Sequence, residues 1–194
     1  MSTVAGLATR ERLLAAAREL IEEGGYGSAS VAAIADRAGV ASGTVYRHFA
    51  SKAELFLEVF RAVCTGEERA MRAAAEQAGP AAADRLEAVL ATFARRALQN
   101  RRLAWALLAE PVDPLVDAER LAYRERYASL VADELGAAIE AGEIPAQDVA
   151  FTAAALVGGC GEALVGPLSS VGGSDQVVDA IGTFVRRAIG ASAR

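Results

Sequence analysis

The chain has 194 residues, a formal net charge of −5 and a single His, His48. Its two Cys, Cys64 and Cys160, are too few and too far apart for a clustered zinc site or a disulfide framework. With no G-x-x-x-x-G-K phosphate loop either, multi-histidine catalysis, zinc chemistry and P-loop chemistry are excluded, and neither a metal nor a cofactor is expected.

Hydrophobic residues make up 53% of the chain, and 46 residues are Ala, the strongest helix former. Five Pro and almost no alternating β-branched runs leave little material for a sheet, so the expected fold is all-α. Leu13, Ala17, Leu20 and Ile21 recur at helical spacing until Gly24-Gly25 stops the first helix. Ser30 stands at an N-cap position before Val31-Ala32-Ala33-Ile34-Ala35, and Gly39 ends that helix after about two turns. A short third segment runs from Ser42 to Phe49. Ser51-Lys52-Ala53-Glu54 is an S-x-x-E capping box that opens a long amphipathic helix reaching toward Gly79-Pro80. Further helices are predicted from Asp84 to Asn100, from Leu103 to Ala109, and from Pro114 to Gly142. An apolar helix then starts at Gln147 or Asp148 and ends near Gly166-Pro167. After a polar loop over Ser169 to Ser174, a last helix runs from Asp175 to Ile189. The total is nine helices: a helix-turn-helix unit over residues 1–52 and a larger bundle over residues 53–194.

Nothing over Met1–Ala8 reads as a signal peptide, since Arg10, Glu11 and Arg12 arrive before any apolar run. Val149 to Leu168 is long enough to cross a bilayer and carries one charge, Glu162. It also holds four Gly, and no aromatic belt or basic cluster flanks it, so a buried interface helix is expected rather than a membrane span.

Two short helices joined at a Gly are the layout of a helix-turn-helix. Ile34, Ala38, Val40 and Val45 supply its apolar ties, and Ala35 is small where the helices cross closely. Gly39 suits a turn that needs a positive φ. The remaining face of Ser42–His48 presents Ser42, Thr44, Arg47 and His48, with Tyr46 beside them. A helix fits the major groove, where Arg47 can pair with guanine or phosphate, and Thr44 can bond a base or touch a thymine methyl. Tyr46 and His48 can donate to phosphates, although Tyr46 also suits half-buried packing. Lys52 is the only Lys in the chain and sits in the first turn of a helix, where the dipole disfavours a cation; a phosphate docked there would explain it. Ser30 is a second donor of this kind. Tyr26, Val45 and Phe49 read as core.

The run Ile34-Ala35-Asp36-Arg37-Ala38-Gly39-Val40-Ala41-Ser42-Gly43-Thr44-Val45-Tyr46-Arg47-His48-Phe49, followed by Ser51-Lys52-Ala53-Glu54-Leu55-Phe56, resembles the DNA-binding signature of the tetracycline-repressor (TetR) family. Gly24-Gly25-Tyr26 and the order of nine helices resemble it too. The resemblance implies a cytoplasmic, homodimeric transcription regulator, commonly a repressor released by a small ligand, and not an enzyme. It implies DNA contacts at Thr44, Tyr46, His48 and Lys52, close approach at Gly43, and an operator-dependent role for Arg47. The partner would be double-stranded DNA with a palindromic operator, because a dimer reads two half-sites about one helical turn or a multiple apart. Residues 1–56 hold six basic and six acidic side chains, so weak non-specific DNA affinity is expected.

In the bundle, Ala154 with Gly158 and Ala155 with Gly159 recur four apart and permit close helix contact. Together with Val178, Ile181, Val185 and Ile189 they resemble the family's dimerising four-helix bundle; the core of a monomer is the other reading. Candidate ligand-pocket residues are Phe60, Cys64, Phe93, Trp105, Leu108, Tyr123 and Tyr127, although any one of the aromatics taken singly fits plain core packing better. Glu162 is expected either to pair with Arg124 or Arg126 or to face a polar cavity. A mainly apolar, aromatic pocket suits a hydrophobic or amphipathic effector. Two other readings stay open: a helix-turn-helix protein whose bundle binds a protein partner, and an α-helical enzyme or small-molecule binding protein.

Overall fold

A computed structural model describes residues 4–169 and 174–191. The centre of the polar loop expected over Ser169 to Ser174 therefore lies outside the described residues. Among these there are nine α-helices and no strand: α1 Val4–Gly24, α2 Val31–Arg37, α3 Ser42–His48, α4 Lys52–Gln77, α5 Ala82–Gln99, α6 Arg101–Leu108, α7 Pro114–Glu140, α8 Val149–Ser169 and α9 Ser174–Ala188. Local capping sets many of these boundaries. Ser30 Oγ accepts from the Ala33 N–H at 3.1 Å, and Ser51 Oγ from the Glu54 N–H at 3.1 Å. Asn100 caps α6, and Asp148 caps α8 through the Phe151 N–H at 2.9 Å. Helix α8 continues two residues beyond Pro167, the residue expected to end it. A proline in the last turn removes one backbone donor and leaves the earlier ladder intact.

The helices cluster into two compact units. The first comprises residues 1–63 with 100–120, so α6 is packed with the N-terminal helices. Leu13, Ala17 and Ile21 of α1, Ile34 and Ala35 of α2, Val45 of α3, and Leu55 and Phe56 of α4 are buried in it, as are Leu103 and Ala106 of α6. Each fully buried large apolar side chain contributes about 1.5–3 kcal/mol relative to exposure.

The second unit comprises residues 64–99 with 121–194. Met71, Leu86, Leu90, Leu135, Leu156 and Leu164 are buried in its core. Arg186 of α9 bridges Asp84 and Glu87 of α5. Ile181, Val185 and Ile189 are 3% exposed or less, so the apolar stripe of α9 faces the interior of its own chain. These three residues do not present the surface that an intersubunit contact needs; the repeat marks an apolar face but not what covers it. Helix α8 differs. Only 22% of its apolar window is buried, and Ala154, Ala155, Gly158 and Gly159 are exposed along it. Phe151 (72% exposed) and Phe184 of α9 (44%) extend this bare apolar face. By length and composition α8 could cross a membrane.

Candidate nucleic-acid interface

The turn between α2 and α3 is built from the backbone outward. Gly39 has φ +66°, a conformation that a side chain resists, and the Val40 N–H reaches back to the Ala35 carbonyl at 2.9 Å. Arg12 of α1 donates to the Ala38 carbonyl and closes the end of α2. Val45 and Phe49 are each 1% exposed and anchor α3 from below. The opposite face is left to solvent. Ser42, Gly43, Tyr46 and Arg47 are exposed there, with Thr44 and His48 half-buried at its edge. Tyr46 is 59% exposed rather than half-buried. A Cβ placed on Gly43 would meet nothing within 4 Å, so the surface is open to an approaching backbone. A helix about 10–12 Å across with its side chains suits a groove about 12 Å wide.

The electrostatics of this unit are local and mostly neutralised. Arg10 pairs with Glu58, Arg18 with Glu22, and Arg61 with Glu119. Arg37 binds both Glu19 and Glu23; its hydrogen bonds hold the Glu23 carboxyl below its ordinary pKa and keep the guanidinium charged. Arg47 makes no ion pair or side-chain hydrogen bond among the described residues, so its charge projects outward from α3.

Lys52, an expected phosphate contact, is otherwise engaged. The Lys52 ammonium donates to the Tyr26 carbonyl at 2.7 Å and lies 3.8 Å over the Tyr26 ring. Burial pushes its pKa down, opposed by the nearby Glu110 carboxylate. At the same helix end the Glu54 carboxylate accepts from the Ala50 N–H at 2.5 Å, so an internal carboxylate already occupies the positive pole of α4. Ser30 is exposed and serves as the cap of α2; its hydroxyl hydrogen is left over for another acceptor. Sequence reasoning missed Glu110, whose carboxylate accepts from the Tyr26 N–H at 2.9 Å across 84 positions. No local pattern announces such a pair.

The candidate effector residues fall in both units. Phe60 is buried in the first, and Trp105 and Leu108 are half-buried there. In the second, Cys64, Phe93, Tyr123 and Tyr127 come together. The Tyr127 ring meets Phe93 at 5.8 Å and Tyr123 at 6.0 Å in tilted contacts, and its hydroxyl donates to the Cys64 carbonyl at 3.1 Å. Burial drives that phenol's pKa upward, so it stays protonated. Tyr123 shares a hydrogen bond with Thr65 at 2.9 Å and stacks under Arg126. Glu162 is exposed, and Arg126 pairs with Glu68 of α4 instead. A surface groove of about 340 Å³ between α5 and α9, lined by Glu87, Gly182, Arg186 and Arg187 among others, includes none of the predicted pocket residues.

Residues 13–59 match the family model described as bacterial regulatory proteins, tetR family. Residues 79–164 match the one described as tetracyclin repressor-like, C-terminal domain. The transcriptional activator FasR of Mycolicibacterium smegmatis is 48% identical over 52 residues, 27% of this chain and 24% of FasR. The transcriptional regulator UidR of Escherichia coli K12 is 41% identical over 63 residues, 32% of this chain and 31% of UidR. The chain thus spans only about a quarter to a third of the length of these curated relatives. Solved structures match along nearly the whole chain. The fatty acid degradation regulator FadR of Bacillus halodurans superposes with TM-score 0.78 at 19% identity, covering 91% of this chain and 94% of that one. FadR of Bacillus subtilis, solved with stearoyl-CoA, gives 0.76 at 21% identity, covering 94% and 99%. RolR, solved with resorcinol, gives 0.72 at 20% identity, covering 96% and 90%. At these identities the likeness is one of fold. The helix-turn-helix built on Gly39 and the two matched family models lead to one conclusion: the chain belongs to the TetR family of bacterial transcription regulators.

Proposed function

We propose that this protein is a homodimeric, sequence-specific DNA-binding regulator of the cytoplasm, a repressor released by a hydrophobic or amphipathic small molecule. The observation that carries the reading is the exposed face of α3, with Ser42, Gly43, Tyr46 and Arg47 bare above a buried Val45–Phe49 anchor. Thr44 and His48 complete the contact set at its edge. The apolar, small-residue face of α8 around Ala154, Ala155, Gly158 and Gly159 supports pairing with a second copy. On α9 the contribution comes from Phe184 and the half-buried Val178, rather than from the interior stripe. Such a dimer would deliver two α3 helices to a palindromic operator. The Cys64–Phe93–Tyr123–Tyr127 cluster supports an aromatic effector site, where a ligand would exchange the internal hydroxyl bonds for its own. Helix α4 carries both Lys52 and Cys64, which gives a covalent route between DNA-binding element and effector. The operator partner and effector would then be coupled reciprocally.

Selection from a random duplex library is the test. The wild type should enrich a palindrome, and Tyr46→Ala should weaken its binding about fivefold or more. Failure to enrich any duplex refutes the reading. Titration of the complex with a long-chain acyl-CoA and with resorcinol, the molecule types bound by two structural neighbours, then probes the effector class through Trp105 emission.

A further inference from the structure

The loop joining α1 to α2 is gripped from two sides at a single peptide unit. The Tyr26 carbonyl and the Gly27 N–H belong to the same peptide group. Lys52 Nζ donates to its oxygen at 2.7 Å, while Glu110 Oε1 accepts from its nitrogen at 3.4 Å. The other oxygen of Glu110 takes the Tyr26 N–H at 2.9 Å. An ammonium on the oxygen end and a carboxylate on the nitrogen end both favour the orientation this peptide dipole has. The Tyr26 ring is wedged edge-on against Phe56 at 4.7 Å, which fixes the loop to α4. Gly25 completes the fit. Its φ is +80°, and a Cβ there would stand 2.9 Å from the Glu110 carboxylate.

Glu110 is itself anchored. It follows the last turn of α6, and Arg120 of α7 donates to its carbonyl at 2.7 Å. Arg120 also donates to the carbonyls of Leu107 at 2.7 Å and Ala106 at 2.8 Å, so one guanidinium holds the end of α6. The chain of contacts therefore runs from α7 and α6, through the Tyr26–Gly27 peptide, to the first residue of α4, which three residues separate from the end of α3.

We propose that Glu110 and Lys52 act as one relay through the Tyr26–Gly27 peptide, and that Lys52 is a positioning residue that reports the state of the α6 end to the recognition helix rather than a phosphate ligand. The inference rests on the DNA-binding reading for its consequence, but its geometry is testable without DNA. Displacing the α6 end withdraws Glu110, loosens the shared peptide and releases Lys52, so α3 loses its seating relative to α6.

The experiment uses the full-length protein and a duplex enriched from a random library, with Glu110→Gln, Lys52→Met and the double variant. Each single variant should weaken binding about fivefold, and the double variant should be no weaker than the weaker single, because removing one end of a relay already disables it. Multiplying effects overturn the relay. The salt slope separates the two roles for Lys52. A phosphate ligand lost from each of two subunits would flatten the slope by about 2, whereas a positioning residue leaves it unchanged. Amide exchange provides the arm that does not depend on DNA. Both Glu110→Gln and Lys52→Met should accelerate exchange at Gly27, with the core amides of α5 unaffected. Normal Gly27 exchange in both variants refutes the relay whatever the DNA result, while absence of any enriched duplex with accelerated Gly27 exchange refutes only the DNA-binding reading.

Discussion

Salt dependence of operator binding is the quantity that most directly tests the electrostatic account of the DNA-facing unit. Of the six basic side chains in residues 1–56, Arg10, Arg12, Arg18, Arg37 and Lys52 are committed to partners within the unit. Arg47 alone projects from α3 without one. Each phosphate neutralised contributes about −0.9 to the slope of log K against log[salt], so two Arg47 side chains in a dimer give a slope of about −2. Raising salt from about 50 to 200 mM should then weaken binding by roughly tenfold. If all six cations of each subunit met phosphate, the slope would be about −11 and the same change would cost roughly 10⁶-fold. Fluorescence anisotropy of a labelled, library-selected duplex over that range measures it directly. A slope steeper than about −6 would mean that the internal ion pairs open on DNA, and the argument from their geometry would fail.

Three further outcomes are expected. Gly39→Ala forces an alanine into a φ of +66° with its Cβ 3.3 Å from Arg12, and should destabilise the first unit by about 1–2 kcal/mol, seen as a lowered thermal midpoint with parallel loss of DNA binding. Phe151→Glu places a charge on the bare α8 face, so sedimentation should show monomers where the wild type sediments as a dimer; an unchanged dimer would move the interface elsewhere. Burial pushes the Cys160 thiol up to about 11. At pH 8 only about one molecule in a thousand carries the thiolate, the species that reacts. Iodoacetamide should therefore spare Cys160 in the native protein and label it after unfolding in guanidinium, and rapid native labelling would contradict its burial.

The helices were legible in the sequence because their starts and stops are local events. Ser30, Ser51, Asn100 and Asp148 each bind a backbone N–H three residues on, an interaction that needs no tertiary context. The turn at Gly39 and the small Ala35 were legible for the same reason, since a positive φ and a close crossing restrict residue type directly. Tertiary structure decided what covers each apolar face. The period of Ile181, Val185 and Ile189 marks a stripe but is silent on whether its cover is the same chain or another, and the fold turns it inward. On α8, apolar almost all round, periodicity offered no direction, and packing left Ala154 to Gly159 bare on one side. Lys52 shows the same division. Its place at the start of α4 could be read directly, but its carbonyl acceptor lies 26 positions away and the carboxylate beyond it 84 from Tyr26, separations that only chain closure brings within hydrogen-bond distance.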